Sequence, residues 1–253
     1  QSHDIAKRLR TALQPAAEKL GATIQVVEVP PGPPVLQTIV AEVYGPDAAR
    51  RQAVAQQVRD IFGKTPGVVD SDWYIESERA RWQLTLDAEK AGGAAVSAAQ
   101  LASVVSMAGA GAPAGLLHDP DAREAVPVVV RLPREMRGSL DSIRALRLGA
   151  RQVAVGEIAR VQEGREEQSL YHKNLLPVTY VTADVAGAAE SPVYAILQMN
   201  KALAQVTFPE GYGLEVFNAQ QPFDSTRYAM KWDGEWHITY EVFRDLGIAF
   251  AAV

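Results

Sequence analysis

Residues 38–75, TIVAEVYGPDAARRQAVAQQVRDIFGKTPGVVDSDWYI, read as a complete strand-helix-strand unit with every boundary signalled. Ile39, Ala41 and Val43 alternate with Val40, Glu42 and Tyr44, and mostly apolar residues on both faces suit a strand covered on one side by a helix. Gly45-Pro46 ends the strand. Asp47 is placed to cap a helix in which Val54, Val58, Ile61 and Phe62 share one face, while Arg50, Arg51, Gln57 and Asp60 keep the other wet. Gly63 to Gly67 turns the chain, and Val68, Val69, Trp73 and Ile75 supply the return strand.

The plan recurs downstream. Leu176 to Val185 is a strand, and Ser191-Pro192 is an N-cap with proline at the first helical position. Val193, Ile196, Leu197 and Leu203 form an apolar stripe, Pro209 to Gly213 turns, and Leu214, Val216 and Phe217 return. Two such units separated by unrelated sequence predict two small, similarly built subdomains rather than one large sheet.

With 253 residues, 47% hydrophobic and 22% charged, the chain has globular composition and length for one large or several small cores. A net charge of -5 and no run of Lys and Arg argue against a nucleic-acid binder. The absence of cysteine excludes disulfides, thiolate nucleophiles and Cys-based zinc sites. No apolar run approaches the roughly 18 residues of a membrane span. The chain opens at Gln1 with no signal peptide, already near a helix over Asp4–Leu20 (apolar side Ile5, Leu9, Leu13, Leu20), and closes on the apolar GIAFAAV at 247–253. Those ends read as those of a piece cut from something longer.

Ahead of the first unit, Thr23–Val29 reads as a strand and Pro30–Pro34 as a stiff loop, either a crossover or the wall of a cleft. Arg79–Asp87 is a strand, Ser97 starts a helix carrying Leu101, Val104, Val105 and Ala108, and Gly109–Gly115 is a flexible segment without a phosphate-loop lysine. Val126–Leu132 is strand-like. Arg134, Arg137, Arg144 and Arg147 form either an anion site or a solvated face, since Glu135 and Asp141 interleave with them. Short strands follow at Val153–Val161 and Glu167–His172, around a turn at Gln162–Glu166. In the tail, Trp232, Trp236, Tyr240 and Phe243 fall at near-helical spacing and no charge follows Asp245, a pattern shared by helices entering a bilayer interface and by docking surfaces.

No enzyme emerges. His3, His118, His172 and His237 share no metal-ligand spacing, no serine lies in a GxSxG elbow, and no carboxylate pair is arranged for acid-base work. No cofactor motif is present.

VVEVPPGPPV at 26–35, TIVAEVYG at 38–45 and QLTLDAEKAGGAAVSAAQLASVV at 83–105 resemble the second periplasmic loop of resistance-nodulation-division (RND) efflux pumps of the AcrB-like type. LDAEKA at 86–91 followed by Val96-Ser97 is similar to that family's strand, D-x-E-K-A, small-loop, G-V-S signature, with Ala95 where the glycine usually stands. VAVGEIARV at 153–161 and VTADVAG at 181–187 follow in the family's order.

The resemblance implies an α+β architecture of ferredoxin-like strand-helix-strand porter subdomains with an inserted mixed α/β docking subdomain. Residues 1–79 would be part of a first porter subdomain, 80–115 with 175–221 a second, 116–174 the docking insertion and 222–253 a connector toward a membrane helix. It further implies the periplasmic portion of a bacterial inner-membrane homotrimer that exchanges protons for a small-molecule substrate and works with a periplasmic adaptor and an outer-membrane channel. For substrate contact Glu28, Trp73, Tyr74 and Tyr180 stand out by strand location and side-chain type, with core packing the competing role for Trp73 and Tyr74. Copper and silver pumps of the family cluster methionines, which suit soft ions; here Met107, Met136, Met199 and Met230 are dispersed, favouring organic amphiphiles or drugs over heavy metals. The rival reading is a free-standing ferredoxin-like binding or regulatory module.

Overall fold

The computed structural model describes residues 2–28, 35–186, 191–206, 208, 211 and 213–252. The proline loop Pro30–Pro34, Gly187, and Pro209, Glu210 and Tyr212 of the second turn lie outside them. In chain order the first elements are helix α1 (Ser2–Leu20), strand β1 (Ile39–Tyr44), helix α2 (Ala48–Lys64) and strand β2 (Val68–Trp73). Next come β3 (Ala80–Leu86), α3 (Ala88–Ala94), α4 (Ala98–Gly109), β4 (Ala112–Leu117), β5 (Val126–Val130), α5 (Arg134–Arg137) and α6 (Leu140–Arg144). The middle closes with β6 (Arg147–Leu148), β7 (Val153–Ala154), α7 (Val155–Ile158) and β8 (Ala159–Arg165). The last elements are β9 (His172–Lys173), β10 (Leu176–Val185), α8 (Pro192–Leu203), β11 (Glu215–Phe217), β12 (Ala229–Gly234) and α9 (Glu235–Ala252).

Residues 1–77 and 168–253 form one compact unit and 78–167 another. In the first, the strands order as β11-β12-β1-β10-β2, with β9 paired to the start of β10. β1 is antiparallel to both β10 and β12, and β2 is antiparallel to β10, so β1-α2-β2 and β10-α8-β12 interleave in the ferredoxin-like manner. This corrects the expectation of two separate subdomains: the strand-helix-strand unit of 38–75 and that of 176–217 build one sheet, and the segment inserted between them is 78–167 rather than 116–174. The physical reason lies in β1. All six of its residues are buried, so both its edges must be paired and both its faces covered, and its own return strand cannot do this because β10 lies between them.

One face of the sheet carries Ile39, Ala41, Val43, Val181, Ala183, Met230 and Trp232 against Val54, Val58 and Phe62 of α2 and Ile196, Met199 and Leu203 of α8. Asp47 caps α2 as its sequence implies, accepting from the Arg50 N–H at 2.8 Å. Gly45 is required where β1 leaves the sheet: a Cβ there would stand 2.5 Å from the Tyr228 ring. Trp232 lies on β12, not on a helix, so the expected aromatic stripe breaks; only Trp236, Tyr240 and Phe243 share α9.

Other sequence expectations fail locally. No described residue of 23–28 is in a strand, because the Val26 N–H donates to the Asp70 carboxylate (3.1 Å) and its carbonyl accepts from Arg10 (3.0 Å) instead of joining a ladder. Residues 112–117 are strand rather than flexible segment, the expected turn at 162–166 is largely taken up by β8, and the strand expected over 167–172 is reduced to β9.

In the second unit β3 and β8 form a ribbon over a core of Leu101, Leu148, Val155 and Ile158. The LDAEKA motif is explained by capping. Asp87 accepts from the Lys90 N–H at 3.3 Å and pairs with Arg160 at 3.0 Å, while Ser97 and Gln100 make a reciprocal capping box at the start of α4. Ala95 ends α3 with φ 54°, the left-handed conformation that a glycine would take without strain. Arg134, Arg144 and Arg147 are exposed, in keeping with a solvated face.

β9 and β10 are joined by Asn174 and Leu175, at φ 48° and 69°. Two left-handed residues make the turn type that favours glycine second, and Leu175 is 93% exposed, so its side chain adds little packing. Leu175→Gly is therefore expected to raise the unfolding free energy by about 1 kcal/mol, measured as a higher urea midpoint at unchanged slope.

Candidate functional site

The face of the sheet away from α2 and α8 carries the alternate residues of the same strands. Val40, Tyr44, Val178, Tyr180 and Ala229 pack there with Tyr74, Leu176 and Phe217. Into this apolar face the strands place charge: Glu42 from β1, Lys231 and Asp233 from β12, and Lys173 from β9. The register sets Glu42 directly opposite Lys231, so strand pairing itself brings them together.

Glu42 is fully buried and Lys231 nearly so. Lys173 donates to Glu42 Oε1 and to Asp233 Oδ2. The Tyr44 hydroxyl donates to Glu42 Oε2 at 2.7 Å, and Lys231 Nζ lies 3.5 Å from Glu42 Oε2 and 3.6 Å from Asp233 Oδ1. Two carboxylates and two ammoniums thus neutralise one another, which is the condition for keeping charge inside a sheet. Burial pushes the Glu42 carboxyl above its ordinary range, reinforced by hydrogen bonding with Asp233. Burial acts in the same direction on Asp233, but hydrogen bonds with Glu42 and Lys173 outweigh it and hold that carboxyl below its usual value. The Tyr44 and Tyr180 hydroxyls are raised by burial and then by the Glu42 charge. Burial lowers Lys173, but its bonds to Asp233 and Glu42 win and raise it.

Beside the tetrad, Tyr74, Tyr171 and Tyr180 form a three-ring cluster with centroids 5.5, 5.5 and 6.1 Å apart. The turn that carries Lys173 is fastened in turn to the 218–228 segment. Gln221 Nε2 donates to the Lys173 carbonyl at 2.9 Å, and Asn174 Nδ2 donates to Gln221 Oε1 at 2.6 Å.

Of the four residues singled out from sequence, Tyr74 and Tyr180 come together on this face. Trp73 is on the opposite one, packed against the helix-covered core with the Arg59 guanidinium 5.2 Å from its ring centre. Glu28 is half-buried in the extended stretch that Val26 and Gln25 tie to Asp70 and Asp72 of β2. Sequence reasoning passed over Glu42, Lys173, Lys231 and Asp233. Their signal was legible: Glu42 interrupts IVAEVY and Lys231 and Asp233 interrupt AMKWDG, each a charge at an alternate position of a strand otherwise apolar. Among the described residues no three His, Cys, Asp or Glu side chains gather as a metal-ligand set.

A model of the AcrB/AcrD/AcrF family matches residues 1–231. The chain is 31% identical over 112 residues to the nickel and cobalt resistance protein CnrA of Cupriavidus metallidurans (strain ATCC 43123 / DSM 2839 / NBRC 102507 / CH34), covering 44% of this chain and 10% of that protein. It is 27% identical, with the same coverage, to the nickel-cobalt-cadmium resistance protein NccA of Alcaligenes xylosoxydans xylosoxydans. In fold it is similar to a heavy metal efflux pump solved in two crystal forms: TM-scores are 0.59 and 0.60, identities 19% and 16%, with 86% and 85% of this chain and 21% of the pump chain covered in each.

Proposed function

The chain belongs to the AcrB/AcrD/AcrF family, and on that premise we propose that it is a periplasmic part of a proton-driven RND efflux permease of a bacterial inner membrane, forming part of the route taken by an exported small molecule. The family match over residues 1–231 carries this reading. The sheet unit of 35–77 and 168–234 serves as a porter subdomain, the 78–167 unit as the docking insertion toward adaptor and outer-membrane channel, and α1 with the extended 22–28 stretch as the end of a preceding porter subdomain. The parent protein works as a homotrimer, and the chain itself acts in transport without enzymatic chemistry. No single described helix is long and apolar enough to cross a membrane.

The cargo we assign is an organic amphiphile. Apolar and aromatic side chains line the tyrosine face around four charged groups that neutralise one another, and the methionines offer no soft-metal cluster, since Met199 and Met230 are buried in the core while Met107 and Met136 are exposed in the other unit. Export of divalent metal ions is the second reading. It is favoured by the names of the two curated relatives and would require ligands from outside the described residues.

The test is susceptibility of an efflux-deficient bacterium carrying the intact parent gene with a neighbouring adaptor gene. Protection against dyes, detergents or antibiotics that disappears when the proton gradient is collapsed supports the amphiphile reading. Protection confined to nickel and cobalt replaces it with the metal reading. No protection of either kind, with the protein present in the membrane, overturns both.

A further inference from the structure

The connection from β11 to β12, residues 218–228, returns between two parallel neighbours, because Glu215 of β11 lies opposite Ala229 of β12. It borders an open cleft of about 770 Å³ lined by Glu215, Phe217 and Ala229 of the sheet strands and by Gln221, Pro222, Phe223, Asp224 and Arg227 of the connection. That volume is within the range of small-molecule sites. Phe217 and Ala229 also belong to the apolar cluster of the tyrosine face, so the cavity opens onto that cluster.

Two features distinguish this segment from an ordinary loop. It is fastened at one point: Gln221 bonds both the Lys173 carbonyl and Asn174, and Lys173 is itself held by Glu42 and Asp233. Two residues beyond that fastening, Phe223 is 99% exposed, a large aromatic at the cavity that makes almost no contact with its own chain. Asp224 stiffens the far side, its Oδ1 accepting from the Thr226 N–H (2.9 Å) and hydroxyl (2.6 Å). A strap tethered at Gln221, with an unpacked aromatic two residues on and a stiffened turn beyond it, can swing that ring inward without breaking the tether.

We propose that the 218–228 segment is a strap whose Phe223 closes over a ligand in this cavity, the ligand being an aromatic or alkyl amphiphile bearing an amine. Phe217, Pro222 and Phe223 supply the apolar contact; two carboxylates, Glu215 and Asp224, against one guanidinium, Arg227, set the preference for a cation. The inference rests on the amphiphile reading above, but its test is binding rather than export, so each can fail without the other.

The experiment is fluorescence polarisation of the cationic dye rhodamine 6G with the 253-residue chain, together with hydrogen exchange of the same sample. Saturable binding is expected, weakened tenfold or more by Phe223→Ala, unchanged by Phe250→Ala on α9, and accompanied by slowed exchange over 218–228. Lys173→Met is expected to quicken exchange in the strap in the absence of dye. Equal affinity of wild type and Phe223→Ala, or protection confined to another segment, overturns the site. Tighter binding of the anionic dye 8-anilinonaphthalene-1-sulfonate overturns the assigned charge, and unchanged strap exchange in Lys173→Met, in a variant shown folded by circular dichroism, overturns the fastening.

Discussion

Glu42→Ala is expected to lower the unfolding free energy of the chain by about 3–5 kcal/mol, the loss typical of removing one partner from a buried ion-pair network. The substitution leaves Lys231, nearly fully buried, with Asp233 at 3.6 Å as its one remaining ion-pair partner among the described residues, and takes the acceptor from the buried Tyr44 hydroxyl. Urea unfolding followed by far-UV circular dichroism measures it; a loss below about 1 kcal/mol would mean that the cluster is hydrated and worth no more than a surface pair.

The same residue carries a pH signature whose sign follows from its raised carboxyl. The folded state holds a proton on Glu42 above the unfolded value of 4.5, so this group's contribution is greatest below that pH and declines as pH rises from 4.5 through the raised folded value. Asp233 acts oppositely: its carboxyl is held below the ordinary 3.8, so its contribution is present above 3.8 and lost as pH falls further. Lys173, raised above 10.5, contributes below that value and loses its contribution at higher pH. Glu42→Gln is accordingly expected to flatten the fall in stability just above pH 4.5 and to leave the acid limb below 3.8 in place. Midpoints measured at half-unit pH intervals separate the two.

Trp232→Ala is expected to cost about 3–5 kcal/mol, the range for deleting a buried tryptophan. Trp232 is fully buried, stacks on Phe62 of α2 with centroids 5.8 Å apart, and donates from its indole to Asn200 Oδ1 of α8 at 2.8 Å. One side chain thus bridges β12 to both helices of the ferredoxin-like layer. Trp232→Phe keeps an aromatic ring against Phe62 but strips Asn200 of its donor, and the expected loss is about 1–3 kcal/mol. If Trp232→Ala unfolds with a wild-type midpoint, the helices do not depend on β12 for their packing.

The contrast between Trp232 and α2 shows what a linear reading reaches. The start and apolar face of α2 were legible because their signals are local: Gly45-Pro46 stops the strand, Asp47 caps, and the apolar positions repeat at one helical period; Arg51, expected on the wet face, is instead buried and donates to the Gly45 carbonyl at 2.8 Å, a contact no helical period shows. Trp232 was assigned to a helical stripe because Trp232, Trp236, Tyr240 and Phe243 suit that spacing, yet a strand-to-helix junction falls at Gly234-Glu235. There Gly234 takes φ 78°, and a Cβ would collide with the Gln37 carbonyl and stand 2.9 Å from that of Thr38. That crowding comes from residues nearly 200 positions away, and no window around 234 contains it.

The site divides in the same manner. Tyr74 and Tyr180 were recognisable as strand aromatics, and the family resemblance rested on short motifs whose order along the chain is itself a sequence property. Capping, periodicity and turn chemistry act between residues a few positions apart, so most element types and the strand-helix-strand repeat were readable from the string alone, while the α+β architecture came from the family resemblance. Which strands pair is a long-range choice. The interleaving of β1 with β10 and β12, the meeting of Glu42 with Lys231 across 189 positions and with Lys173 across 131, and the fastening of the 218–228 strap arise only when the sheet closes. They depend on β1 being buried on both faces and needing partners on both edges, a demand that tertiary packing alone can satisfy.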